Sequence, residues 1–338
     1  MKKILLVLFF FSTLAADMPR AVPSALKKGD LIALVFPAFF LNKESTEAQQ
    51  ILDRKAKWLN QKGYRTIFYP NRIKMHGYLA GTDKQRADAL MSAWKNPEVK
   101  AIWCVRGGYG TPRMLDLLDY EWIKEHPKIL IGMSDITALH AALLQQSGLV
   151  SFLGPVFNSF DEKESSFDAD YAFTELERVL VEKKRGEIKL PDPESFKVIK
   201  AGKGIGRLVG GNLTIIAGLC GTKWQLDTNN KILVLEDVGE DIYRIDRMLW
   251  QLREAGLLDN PAAVILANWK DCKSTFVNTF SLDEVFIQYF GKAKYPVVMG
   301  FPSGHDKFQT TLPLNTSAEV DTSLMKVTLL EKAVSAVP

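Results

Sequence analysis

The stretch Lys128-Ile129-Leu130-Ile131-Gly132-Met133-Ser134-Asp135-Ile136-Thr137 decides the fold: a short apolar run breaks at a glycine, presents one serine and enters a helical pattern. The apolar part has the length of a buried strand, and the pattern running on to about residue 146 is that of a helix. A strand, a sharp turn and a helix start would hold the Ser134 hydroxyl above the sheet edge beside unpaired helix N–H groups, which is a nucleophile's position. The G-x-S-x-G elbow pattern is incomplete, because Ile136 stands where its second glycine belongs. The competing reading is that Ser134 or Asp135 only caps the helix. The rest of the chain has to decide between them.

Upstream, the same alternation recurs. Residues 31–36 are a continuous apolar run ended by Pro37, 44–61 read as a helix, and 65–69 as a strand closed by Pro70. Thr82-Asp83-Lys84-Gln85 has the spacing of a capping box and opens a helix to about residue 94. Residues 100–105 are a strand that empties into Arg106-Gly107-Gly108-Tyr109-Gly110, and 113–118 are helical. Strand and helix in this order imply an α/β domain with a mainly parallel, doubly wound sheet, spanning about residues 27–156. In such sheets the functional crevice lies beyond the carboxyl ends of the strands, where the glycine loop and the Ser134 turn both fall. The glycine loop has no G-K-[ST] ending, and Arg113 occupies the last position of G-x-G-x-x-G, so nucleotide binding is not indicated. What close glycines permit is a backbone amide turned towards a substrate, half of an oxyanion hole whose other half is the amide of Asp135.

Downstream, residues 157–203 change character, with acidic clusters, a helix from about residue 169 to 182 and the breaker Pro191-Asp192-Pro193. They read as a linker and the edge of a second α/β domain spanning 204–331. That domain contains strands at 205–209, 231–235, 263–267 and 296–299, a turn at Gly210-Gly211-Asn212 before a short helix, and an amphipathic helix from Ile242 that stops before Gly256. A second capping box, Ser281-Leu282-Asp283-Glu284, opens a helix to Phe290.

Composition excludes several classes. With 43 Lys+Arg against 39 Asp+Glu and no dense basic block among aromatics, nucleic acid is not the expected partner. Cys104, Cys220 and Cys272 are far apart and form no C-x-x-C pair, so neither a zinc ribbon nor a disulfide scaffold is indicated. Lys2 and Lys3 precede the apolar run 4–11 and the small residues Ser12-Thr13-Leu14-Ala15-Ala16, the pattern of a secretory signal peptide over residues 1–16. The expectation is export, with no stable membrane association after cleavage. An uncleaved anchor or a buried first strand are the alternatives.

A serine nucleophile needs a base, usually histidine, oriented by a carboxylate. Of the four histidines, His76 and His126 lie in polar loops, and His140 is six residues beyond Ser134 on a different helix face. His305 ends a strand in the glycine- and proline-shaped loop Gly300-Phe301-Pro302-Ser303-Gly304-His305, and Glu236 ends the apolar strand 231–235. Each also has an ordinary reading, as a solvated loop residue and an exposed strand terminus.

Together these stretches resemble the serine LD-carboxypeptidase family, which also contains the microcin C self-immunity peptidases. The resemblance rests on Ala80-Gly81-Thr82-Asp83, Arg106 to Gly110, Gly132 to Thr137, Gly210-Gly211-Asn212-Leu213, Leu235-Glu236-Asp237-Val238-Gly239-Glu240 with Tyr243-Arg244-Ile245-Asp246-Arg247, and Gly304-His305. It implies a flavodoxin-like N-terminal domain, a smaller C-terminal α/β domain and a homodimer. It further implies a Ser134–Glu236–His305 triad, an oxyanion hole from the amides of Gly108 and Asp135, and no metal or cofactor. The implied reaction removes the terminal D-alanine from peptidoglycan tetrapeptides, with Arg106 and Asn212 as contacts near the substrate carboxylate, although Arg106 could equally brace the glycine loop. Two rivals stand beside it: an immunity-type peptidase or amidase acting on acylated amines, and a muropeptide-binding protein without catalysis.

Overall fold

The computed structural model describes residues 18–41, 45–70, 75–160 and 167–336; the expected signal peptide lies outside them. In chain order the first half contains β1 (Leu31–Val35), α1 (Ser45–Gln61), β2 (Arg65–Tyr69), α2 (Asp83–Lys95), β3 (Val99–Cys104), α3 (Tyr120–Glu125), β4 (Ile129–Gly132), α4 (Ile136–Ser147) and β5 (Phe152–Leu153). Strands β1 to β5 pair in parallel in the order β2-β1-β3-β4-β5, the flavodoxin-like arrangement. All five residues of β1 and all four of β4 are buried, as strands covered on both faces require. Thr82 and Gln85 form the expected capping box on α2. The stretch expected to be helical at 113–118 is a 3-10 turn, Thr111–Leu117, that starts against Gly110 with Pro112 in its first turn.

The second half contains α5 (Ala169–Leu180), β6 (Gly186–Glu187), β7 (Lys197–Lys200), β8 (Lys203–Asn212), α6 (Leu213–Leu219), β9 (Lys231–Val238), α7 (Ile242–Glu254), β10 (Ala263–Lys270), α8 (Leu282–Phe290), β11 (Val297–Met299), β12 (Leu312–Pro313), β13 (Ser317–Asp321) and β14 (Lys326–Leu329). Its eight-stranded sheet has the order β6-β14-β13-β8-β9-β10-β11-β7, with β8 to β11 parallel and the outer strands antiparallel. The Ser281–Glu284 capping box forms on α8.

Residues 157–203, expected as a linker and domain edge, are divided between the two halves. Helix α5 buries Phe173, Leu176, Val179 and Leu180 with Leu52 and Leu59 of α1, whereas β6 and β7 add the two outermost strands of the second sheet. The exchange also runs the other way. Strand β12 pairs antiparallel with β5 of the first sheet, and Ser335 exchanges backbone hydrogen bonds with Pro23 and Ala25. Where the halves meet, Ile136, Leu139 and Leu143 of α4 share one apolar core with Leu213 and Ile216 of α6. Met133 and Leu153 share another with Leu208, Ile232 and Val234 of the second sheet. Burying each such side chain is worth about 1.5–3 kcal/mol, so the junction itself contributes to the stability of the fold.

Candidate active site

Ser134 occupies the turn between β4 and α4 with φ +63°, a left-handed conformation that costs a serine energy and persists only where its surroundings hold it. Its carbonyl accepts Thr137 N at 2.9 Å, starting the helix. The glycine loop lies flush against it: a Cβ on Gly107 would stand 2.7 Å from Ser134 Cβ and 3.0 Å from its Oγ, and 3.4 Å from the Asp135 amide. Gly108, the expected oxyanion donor, follows at φ +109°, with Phe39 filling the space a side chain would need.

Asp135 is fully buried, and its Oδ2 accepts from Thr111 N at 2.8 Å and Thr111 Oγ1 at 2.9 Å. Burial pushes its carboxyl above the usual range, against the Thr111 and Gly110 hydrogen bonds and the Arg86 charge, which favour the ionised form. Its side chain therefore ties the helix start back to the glycine loop, while its amide follows the serine.

The other half of the site comes from the second sheet. Glu236, fully buried near the end of β9, accepts His305 Nδ1 at 2.7 Å and His305 N at 3.3 Å through Oε2. Gly304 makes this fit possible. At φ +97° it adopts a conformation that L side chains avoid, and a Cβ there would lie 2.5 Å from that oxygen. Burial disfavours a charged His305, but the Glu236 charge, their hydrogen bond and nearby Asp237 outweigh it, so the imidazole titrates above its ordinary value.

Thr137 and Asn212 couple the two halves. Asn212 N donates to Thr137 Oγ1 at 3.0 Å, and Asn212 stands opposite Glu236 in the β8–β9 register. The path Ser134–Thr137–Asn212–Glu236–His305 thus runs through neighbours in contact, across the junction. No hydrogen bond joins Ser134 Oγ to His305, which leaves Nε2 without a partner among the described residues. Catalytic hydrogen bonds of this kind commonly tighten only with substrate in place.

The two expected substrate contacts also hold structure of their own. Asn212 is 4% exposed and its side chain is committed: Oδ1 caps α6 by accepting Ile215 N, and Nδ2 donates to Asp237, so one amide hydrogen remains. Arg106 braces the loop after β1 by donating from Nη1 to Phe40 O at 3.0 Å and lying over the Phe39 ring, and its remaining donors have no hydrogen-bond partner among the described residues. The three other histidines stay apart from Glu236. His126 stacks on Trp122, His76 pairs its backbone with Leu79, and His140 is buried behind the turn between Ser151 Oγ and the carbonyl of Gly132.

Sequence reasoning passed over Gly107, Thr111, Thr137 and the role of Asp237, which accepts from Asn212, Val238 and Thr214 at the helix start of α6. Only Asp237 carried a signal, as the second carboxylate at a strand end. Beside the His305 loop a cavity of about 410 Å³ opens at the carboxyl ends of β10 and β11, lined among others by Trp269, Met299, Asp306 and Phe308. No group of side chains suited to a metal ion occurs among the described residues, and none of their helices is long and apolar enough to cross a membrane.

Comparison with known proteins agrees with the two-domain α/β fold. Residues 32–154 match the LD-carboxypeptidase N-terminal domain and residues 205–320 its C-terminal domain. The chain is 37% identical to the putative carboxypeptidase slr1534 of Synechocystis sp., over 88% of this chain and 94% of that protein. It is 34% identical to a probable murein peptide carboxypeptidase of Bacillus subtilis, over 93% and 95%. Among solved structures it superposes on the microcin immunity protein MccF in complex with glutamyl sulfamoyl guanosine with a TM-score of 0.84, at 25% identity, covering 93% of this chain and all of that one. With both domains matched in order and relatives above 30% identity along nearly its whole length, the chain belongs to the LD-carboxypeptidase family.

Proposed function

We propose that this peptidase removes the terminal D-alanine from peptidoglycan tetrapeptides through an acyl-enzyme on Ser134. The observation that carries the proposal is a serine held in a left-handed turn and linked, through Thr137 and Asn212, to the strand of the other half of the chain whose buried Glu236 holds His305. With Nδ1–H given to Glu236, His305 Nε2 is the free base. It takes the Ser134 proton as Oγ attacks the scissile carbonyl, and buried Glu236 stabilises the imidazolium. The amides of Gly108 and Asp135 receive the oxyanion. The imidazolium then protonates the leaving amine of D-alanine, and water, activated in the same way, attacks the acyl-enzyme to release the tripeptide and restore Ser134. The uncommitted donors of Arg106 suit the leaving carboxylate.

The murein peptide carboxypeptidase named above supports this substrate at 34% identity, against 28% for the microcin C7 self-immunity protein MccF of Escherichia coli. We further propose that residues 1–16 direct export, so that the substrate is periplasmic, and that the protein acts as a homodimer. The test is mass spectrometry of protein lacking residues 1–16, and of its Ser134→Ala variant, incubated with disaccharide-tetrapeptide and with free tetrapeptide. Loss of one alanine with the parent only is expected, turnover by Ser134→Ala falling on the order of 10⁶-fold. Equal hydrolysis by both proteins would refute the mechanism. No loss from either substrate would turn the assignment to the immunity-type reaction, whose test is a panel of acylated aminonucleotides.

A further inference from the structure

Arg86 is among the largest fully buried side chains of the molecule, at 2% exposure, and nothing in the reaction above uses it. Its guanidinium joins three separate loops. Nε donates to Gly81 O at 3.3 Å, Nη1 donates to Gly110 O at 2.8 Å and also to Pro37 O, and Nη2 pairs with Asp83. Pro37 follows β1, Gly81 and Asp83 frame the start of α2, and Gly110 ends the glycine loop. The fit is close, since a Cβ on Gly110 would stand 3.0 Å from Nη1. The next residue, Thr111, donates its amide and hydroxyl to the Asp135 carboxylate. Contacts thus run without a gap from Arg86 through Gly110 and Thr111 to Asp135, bracketing the segment that contains Gly108.

We infer that Arg86 and the Asp135 carboxylate form a buried brace that sets the distance between the Gly108 and Asp135 amides, making Arg86 a positioning residue for the oxyanion hole. The inference rests on the acyl-enzyme reading and gives Ala80-Gly81-Thr82-Asp83 its place, as the seat of the brace. Arginine is required because one planar fork reaches carbonyls in several directions, whereas a lysine ammonium is a single point on a flexible stem. The buried positive charge also lies near the buried Asp135 carboxylate, which gives the pair an electrostatic reason to stay together. Amides in an oxyanion hole act on charge that develops in the transition state, so loosening them lowers kcat while leaving ground-state binding in place.

The experiment compares the parent with Arg86→Lys and Asp83→Asn in three measurements. These are kcat for alanine release, the rate of Ser134 labelling by a fluorophosphonate, and tetrapeptide affinity by calorimetry with Ser134→Ala added to each protein. For Arg86→Lys the expected result is a fall in kcat of about 100-fold, the scale of a misplaced or lost donor. Labelling should slow in parallel, because phosphonylation also charges an oxygen in the hole, and affinity should not change. Asp83→Asn should move the same way by less, and it decides the matter if Arg86→Lys does not fold. Parent-like kcat and labelling, or a loss confined to affinity, would overturn the brace. A parent that labels at Ser134 but releases no alanine would sink the carboxypeptidase reading alone, with the labelling rates still testing Arg86.

Discussion

His140 gives the sharpest quantitative prediction. Buried behind the Ser134 turn, it has Ser151 Oγ at 2.8 Å from Nδ1 and the Gly132 carbonyl at 2.9 Å from Nε2. The carbonyl can only accept, so Nε2 bears the proton and Nδ1 accepts from the serine: the ring is neutral. Burial lowers its pKa from 6.5 to about 4. A depressed folded value means that the unfolded chain binds the proton first. The stabilisation is complete above pH 6.5 and is lost as pH falls towards 4. Linkage across that interval gives a loss of roughly 2 kcal/mol between pH 7 and pH 5. His305, with a raised value, acts in the opposite sense: its contribution is present below its unfolded pKa and disappears as pH rises through the folded one. The parent's pH curve is therefore composite, and a double difference isolates His140. Urea unfolding followed through the seven tryptophans, at pH 7 and pH 5, should show a pH-dependent loss that is smaller by roughly 2 kcal/mol in His140→Gln than in the parent. An identical loss in both proteins, or an NMR titration of His140 near pH 6.5, would refute the reasoning.

Two further outcomes follow from the Glu236–His305 pair. Gly304→Ala forces a strained φ and a methyl group onto the Glu236 carboxylate, so kcat/KM should fall about 100-fold or more while circular dichroism stays parental; near-normal turnover would mean that the loop yields freely. Because His305 must be neutral to act as base and titrates above 6.5, the acid limb of the kcat/KM profile should lie above pH 6.5. Removing the neighbouring charge with Asp237→Asn should move that limb to lower pH, and an unmoved limb would disconnect Asp237 from the base.

What could be read from the sequence followed its local character. β1 and β4 were legible because they are continuous apolar runs, and α2 and α8 because their capping boxes are complete within four residues. Ser134, Glu236 and His305 each follow an apolar run of the sequence, where a polar group begins, although β9 continues past Glu236 to Val238 and His305 lies six residues beyond β11. The contacts that assemble them were not legible. Nothing near residue 137 announces that its hydroxyl meets the amide of Asn212, since the two are brought together by packing of α4 on the end of β8. The commitments of Asn212 were hidden for the same reason: a polar residue after two glycines suggests a ligand, whereas the α6 N-terminus and Asp237 hold its Oδ1 and one amide hydrogen. The stretch 157–203 looked like a connection because its charges are dense, yet the 3.6-residue spacing of Phe173, Leu176, Val179 and Leu180 gives α5 a buried face that needs α1 to cover it.

The return of β12 to the first sheet has a consequence for the life of the molecule before it is finished. Synthesis delivers Ser134 early, but the partner for β5, the His305 loop and the tail that bonds to Pro23 all arrive in the last tenth or so of the chain. Until then the edge of the first sheet lacks β12, and His305 and its loop have yet to be made. On the triad reading, hydrolytic power is acquired at the end of biogenesis and all at once, so a truncated or still-emerging chain is inert towards the cell's own peptides.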